Sequence, residues 1–540
     1  MTDEFSVIVG APVAPRVKRP RGSRLDLWWR RVMISPGARR LYNWGAPALV
    51  VVIAIVLRVW NLGHPAQLVF DETFYVKDGW SLVNLGYSST WPDGADDAFK
   101  TGDVNGYLTD PSFVVHPPLG KWFIGIGMAL LGPENPASWR AATVVAGVLG
   151  VILLMIVAKK LFRSTLLAVV AGGLMAIDGN AIVMSRVALL DNFVMLFALI
   201  GFYFMLRDRE FTQGRLDLWM IRRIDEGRST DWGPALWWRP WTIAAGLAFG
   251  LAAGVKWNGI YFLAGFAIYT VIVDIVARRK AGVHFFVTGT LLKQAPTTFL
   301  LMVPIAAAAY LSTWISWFTS PGSYDRQYAQ QDGYAWTGAF SWVPLSLQSF
   351  LHYEQSVYNY NIGESRPHAY QANPLTWLLM IRPTSMYYQA SAAGDGSGCD
   401  VASCGASITG LANPLIWWAG TAAILYLVYR LIRYREWTTG LILMGIAAGY
   451  LPWLMYLHRT VFQFYTIAFE PYLILALTAA IGLQLGSRRD LQRKRVTGLW
   501  VVGVFLGLCV VLSIYFYPLW TGIELDYAWL RGHWWLPSWI

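Results

Sequence analysis

Two adjacent carboxylates, Asp71 and Glu72, stand in the stretch Phe70-Asp71-Glu72-Thr73-Phe74-Tyr75, about ten residues past an apolar run. Flanking aromatics dry such a site, raising a carboxylate's proton affinity and suiting it to general-base work near neutral pH. A solvated acidic pair in a hydrophilic loop is the competing reading. A second motif is His116-Pro117-Pro118-Leu119-Gly120-Lys121, whose paired prolines fix an extended entry to a short apolar segment. His116 and Lys121 then lie near the lipid headgroup level, where a phosphate can sit. Arg140, at the end of an apolar run, carries a planar fork suited to a phosphate or carboxylate, although an arginine there also serves as a headgroup anchor. Lys256-Trp257-Asn258-Gly259 and the segment from His458 through Arg459 to Gln463 and Tyr465 each set a cation beside an amide and aromatics. That combination holds a phosphate oxygen and a sugar ring together. Arg186 and Asp191 are not at i,i+4 spacing and read as mostly structural.

The elements that must position these groups are membrane helices. The chain is 56% hydrophobic and 14% charged, with 29 tryptophans and a mean hydropathy of +0.41. That composition describes a polytopic membrane protein. Runs long enough to span lie near 44-62, 138-158, 164-183, 187-206, 241-257, 258-277, 295-316, 413-432, 437-457, 461-485 and 497-519. The expectation is therefore an all-α fold of about eleven transmembrane helices. Leu119 to Leu131 is too short to span and reads as interfacial or re-entrant. The net charge of +11 comes from Lys and Arg gathered at span ends, a positive-inside pattern and not a nucleic-acid patch. With this parity the N-terminus is cytoplasmic, the C-terminus is outside and the protein sits in the cell membrane.

The organisation expected is a disordered tail over 1-43, a multi-span domain over 44-520 and an outer tail over 521-540. Two long outer loops, about 61-137 and 317-412, hold most of the candidate residues; within the second, apolar positions from 345 to 358 suggest an amphipathic helix along the membrane. Cys399 and Cys404 can form a disulfide or remain two free thiols. No Walker, Rossmann or zinc spacing occurs, so a soluble nucleotide is unsupported. A flippase or transporter of lipid-linked sugar should show repeat symmetry and polar residues deep in spans, and the ionisable residues here sit mainly at span ends.

Taken together, Phe70-Asp71-Glu72, the HPPLGK hexapeptide, Arg140, the Ser185-Arg186 to Leu190-Asp191 segment, Lys256-Trp257-Asn258-Gly259, the Tyr358-Asn359-Tyr360 region with Trp377 to Pro383, and the Arg459 segment resemble the protein O-mannosyltransferases in a bacterial form. The resemblance implies the GT-C architecture and inverting transfer of mannose from polyprenyl-phosphate-mannose to Ser or Thr hydroxyls of secreted polypeptides, at the outer face and in the neighbourhood of the secretion machinery. It implies Asp71 as general base, Glu72 as the neighbour that positions the acceptor, and Arg140 as a basic residue near the donor. Eukaryotic members carry a MIR domain in the second outer loop, and the roughly 95 residues here leave no room for one. A sibling GT-C enzyme with another sugar or acceptor shares this membrane pattern. A divalent metal at Asp71, Glu72 and His116 is possible, but the cations make it unnecessary.

Overall fold

The computed structural model describes residues 22–394 and 399–540. Each of the eleven apolar runs falls in a helical segment. By length and composition, however, seven helices among the described residues suffice to cross a membrane, or eight if the bent pair Thr165–Ile177 and Gly179–Arg186 is one span. The other three runs lie on Asp191–Asp225, which is charged at both ends of its apolar stretch, and on Pro240–Val255 and Glu470–Leu485, each of 16 residues. Sixteen residues reach only about 24 Å, short of a hydrocarbon core of about 30 Å. Glu470–Leu485 is packed among its neighbours, with Tyr472 through Ala476 fully buried.

The bend of 59° in that pair leaves helix-end carbonyls with no intrahelical partner, and in an apolar setting each must find a donor. Arg58 supplies them: its guanidinium donates to the carbonyls of Met175 (3.1 Å) and Ala176 (3.0 Å), and Ser513 donates to Ile177 (2.7 Å). On the far side of the break, Asp178 caps the second helix through the Asn180 and Ala181 amides. Arg186 is structural, as expected, donating to the carbonyls of Arg58, Trp60 and Asn61. Asp191 pairs elsewhere, with Lys256.

The first long loop is largely helical. Glu72–Leu85 packs on the short Leu119–Leu131 helix so closely that a Cβ at Gly79 would meet the Lys121 carbonyl at 2.7 Å, and one at Gly125 the Gly79 carbonyl at 2.2 Å. The two glycines therefore let the helix carrying Asp71 lie against the one carrying Lys121. In the second loop a helix is present where one was expected, as Leu345–Gly363, but its buried face takes Gln348 and Ser349 along with Phe350, Tyr353 and Val357, while Leu345, Leu351 and Tyr358 are exposed. A strand pair is present too: Thr384–Ser391 runs antiparallel to Cys404–Gly410, and Cys399 and Cys404 are joined as a disulfide. The sequence reading gave this loop no strands, because a single hairpin lacks the repeated pattern of an all-β domain.

Two boundaries differ from expectation. Residues 1–21 of the expected tail lie outside the described residues, but Ser23 and Asp26 form a capping box that starts a helix, Arg24–Val32. Asp26 then pairs with Arg495 at 3.0 Å, so the chain from Ser23 onward is ordered by capping and ion pairing, not a loose tail. Residues 521–540 fold back onto the second loop: Leu525–Asp526 adds to the strand pair, and the buried Trp539 donates to the Met380 carbonyl at 2.8 Å.

Candidate active site

Phe70 sits in the left-handed region (φ 51°), an uncommon conformation for a bulky residue, and is held there by edge contacts to His368, Phe462 and Phe464. The chain turns at this point into Glu72–Leu85, and the two neighbouring acids part. Asp71 lines a cavity of about 540 Å³, together with Tyr75, Asp78, His116, Lys121 and Arg459. Asp71, Tyr75 and Asp78 follow i, i+4, i+7 spacing and so share one helix face.

Glu72 turns the other way and is wholly buried. Its carboxylate accepts from Arg140 Nε (2.8 Å) and Nη2 (2.9 Å), and from the backbone amides of Val69 (3.0 Å) and Ala188 (2.8 Å). The remaining Arg140 donors go to the carbonyls of Leu62, Pro65 and Gln67. All five guanidinium N–H groups are thereby spent, and neither residue lines the cavity. The structure thus corrects two expectations: Glu72 does not reach an acceptor, and Arg140 has no donor left for a phosphate. Both brace the turn that presents Asp71. Gln463 is also withdrawn, donating to the Trp377 carbonyl at 2.9 Å.

The other expected cations do converge. Lys256 and Asn258 line a smaller cavity of about 90 Å³ that shares His116, Asn361 and Arg459 with the larger one. Lys121 is paired with Asp78 at 3.0 Å, and Lys256 with Asp191 at 3.1 Å while it also stands 3.9 Å over the Tyr465 ring. Arg459 differs from both. Its guanidinium donates to Asn361 at 2.9 Å and lies over Trp453, has no carboxylate partner among the described residues, and keeps a buried Nε with no partner at all. It is the cation with charge to spare for an incoming anion.

Sequence reasoning missed Asp78 and Asn361. The first was legible from its spacing to Asp71; the second comes from chain far away and has no local signature. Of the three groups considered for a metal, Glu72 faces away from Asp71 and His116, so the set does not converge.

Burial pushes the Asp71 carboxyl up to about 6, the nearby Lys256 charge opposing and Asp191 reinforcing the shift. Burial, together with the charges of Lys256, Lys121 and Arg459, holds His116 well below the ordinary histidine range, so its imidazole is neutral. A base works deprotonated. Log kcat/KM should therefore rise with unit slope below a pH of about 6 and level off above it. A plateau continuing well into the acid range would show that Asp71 is not the titrating base.

Two family profiles match the chain: residues 115–223 fit "Dolichyl-phosphate-mannose-protein mannosyltransferase", and residues 346–539 fit the "C-terminal four TMM region of protein-O-mannosyltransferase". The polyprenol-phosphate-mannose–protein mannosyltransferase of Mycobacterium tuberculosis is 31% identical over 93% of this chain and 92% of its own length. The enzyme of the same name from Corynebacterium glutamicum is 30% identical over 92% of this chain and 93% of its own. Among solved structures, the S. cerevisiae protein O-mannosyltransferase Pmt1-Pmt2 complex bound to the sugar donor superposes with a TM-score of 0.68 at 14% identity, covering 96% of this chain and 95% of that one. The helical fold is thus the GT-C fold implied by the sequence motifs, and the chain belongs to the protein O-mannosyltransferase family.

Proposed function

We propose that this enzyme transfers mannose from polyprenyl-phosphate-mannose to Ser or Thr hydroxyls of polypeptides, with Asp71 as general base. The observation that carries this reading is the pairing, across one cavity, of a desolvated carboxylate with a cation that lacks a counter-ion, Asp71 and Arg459. A sugar on a lipid phosphate is already activated. What remains is to take the acceptor's proton and to stabilise the phosphate that departs.

Asp71 takes the proton of the hydroxyl as its oxygen bonds to C1 of mannose. The bond from C1 to the phosphate oxygen breaks, its electron pair leaves with the polyprenyl phosphate, and attack from the opposite face inverts the anomeric centre. Arg459 meets the developing phosphate charge. Lys121 and Lys256 are already balanced by Asp78 and Asp191, so they set the local field without adding the same net charge. Neutral His116 and Asn361 offer hydrogen bonds to sugar or phosphate oxygens. In this reading the site opens on the outer face of the cell membrane, the N-terminus is cytoplasmic, the C-terminus is outside and the acceptors are chains emerging from secretion.

The direct test is purified protein with polyprenyl-phosphate-mannose and a Thr-rich peptide, the product identified by mass spectrometry. A hexose on Thr is the expected result; transfer from a different lipid-linked sugar but not from this donor would overturn the substrate assignment. Arg459→Gln should lower kcat/KM for the donor on the order of 10- to 100-fold, the worth of a charge-assisted hydrogen bond. Unchanged donor kinetics in that variant would remove Arg459 from the phosphate site.

A further inference from the structure

A second cluster of cations lies at the opposite end of the helix that delivers Lys256. Pro240–Val255 ends at Lys256 beside the candidate site; its start adjoins a cleft of about 670 Å³ lined by Arg215, Trp219, Arg223, Trp237, Trp238 and Lys293. Arg215 lies over Phe211, Arg223 over Trp219 and Lys293 over Trp232, at 5.9, 5.2 and 5.6 Å. None of the three makes an ion pair or a side-chain hydrogen bond among the described residues. Other cations at this end do: Arg239 pairs with Asp208 and Asp274, and Arg222 and Arg228 with Glu226.

The cleft wall is built, not incidental. Arg278 donates to the Pro234 carbonyl, and the Leu236 amide donates to Gln294 at 2.8 Å, so the 234–238 segment is fastened to the helices behind it. Its lining carries exposed indoles: Trp237 and Trp238 are 57% and 64% exposed. Cations and indoles together at the level where apolar helices begin match a lipid headgroup, whose phosphate meets the charges while its ester region meets the rings. A small soluble anion has no use for the exposed tryptophans.

The geometry points to this cleft as a binding site for an anionic phospholipid, its phosphate held by Arg215, Arg223 and Lys293. The site is separate from the proposed mannosyl-transfer site and does not depend on it.

Delipidated protein in neutral detergent is titrated with phosphatidylglycerol, phosphatidylcholine or inorganic phosphate, and bound lipid is read by native mass spectrometry. Phosphatidylglycerol should bind in preference to phosphatidylcholine and should survive an excess of inorganic phosphate. Each cation removed should weaken binding about five-fold, so the triple variant Arg215→Gln, Arg223→Gln, Lys293→Gln should lose on the order of 100-fold. The comparison variant Arg30→Gln, Arg31→Gln, Arg40→Gln removes equal charge elsewhere and should bind as the parent does. All six side chains lie on the surface, and the single Arg223→Gln variant gives a graded reading if the triple variant is poorly folded. Equal binding of phosphatidylcholine, displacement by inorganic phosphate, or equal loss in both triple variants would each overturn the assignment.

Discussion

Replacing Asp71 with Asn should cut mannosyl transfer by about 10²–10⁴-fold while donor binding persists, because the change keeps the side-chain shape and removes only the proton acceptor. Among the described residues Asp71 forms no ion pair, whereas the other carboxylates here do: Asp78 is bonded to Lys121, Glu364 lies 4.0 Å from Arg366, and Asp191, outside the cavity lining, is bonded to Lys256. Burial lifts the Asp71 carboxyl to about 6, which suits it to take a proton near neutral pH. Single-turnover transfer to a Thr peptide, with donor affinity measured separately, checks the expectation. The acid limb of the pH profile should vanish with the carboxylate. An Asn variant that turns over at nearly the parent rate would pass the base role to Asp78 or Asp191.

The pattern of helices was legible because lipid demands long apolar runs, and each run located in the sequence lies in a helical segment. What composition could not show is which runs are shortened by burial against neighbours, as Pro240–Val255 and Glu470–Leu485 are. At the site, residue types were legible and roles were not. Asp71 and Glu72 are chemically alike and adjacent, and their fates are separated by the turn at Phe70, whose left-handed backbone is set by aromatic contacts from residues 368, 462 and 464. The cations divide in the same way. Lys121, Arg140, Lys256 and Arg459 all read as phosphate ligands until their partners are known, and three of the four are already answered by a carboxylate. Counter-ion assignment is a long-range property: Arg140 finds Glu72 across 68 positions, and Lys256 finds Asp191 across 65.

That difference sets the expected behaviour of Arg140. As a phosphate ligand, Arg140 would be expected to show its replacement chiefly in donor kinetics, with folding intact. As the partner of Glu72, its replacement by Ala leaves a buried carboxylate unpaired, which costs about 3–5 kcal/mol in comparable pairs. It also strips the carbonyls of Leu62, Pro65 and Gln67 of their donor. Arg140→Ala should therefore lower the yield and thermal stability of detergent-purified protein, with donor affinity unchanged in the folded fraction. Arg140→Lys keeps the charge but offers three donors where five are used, and should fall between Ala and the parent. The two sides of the pair should also be coupled: Glu72→Gln alone should destabilise, and combining it with Arg140→Met should cost less than the sum of the two single changes. A stable Arg140→Ala protein with weakened donor binding, and additive effects in the double variant, would reverse the assignment and return Arg140 to the phosphate.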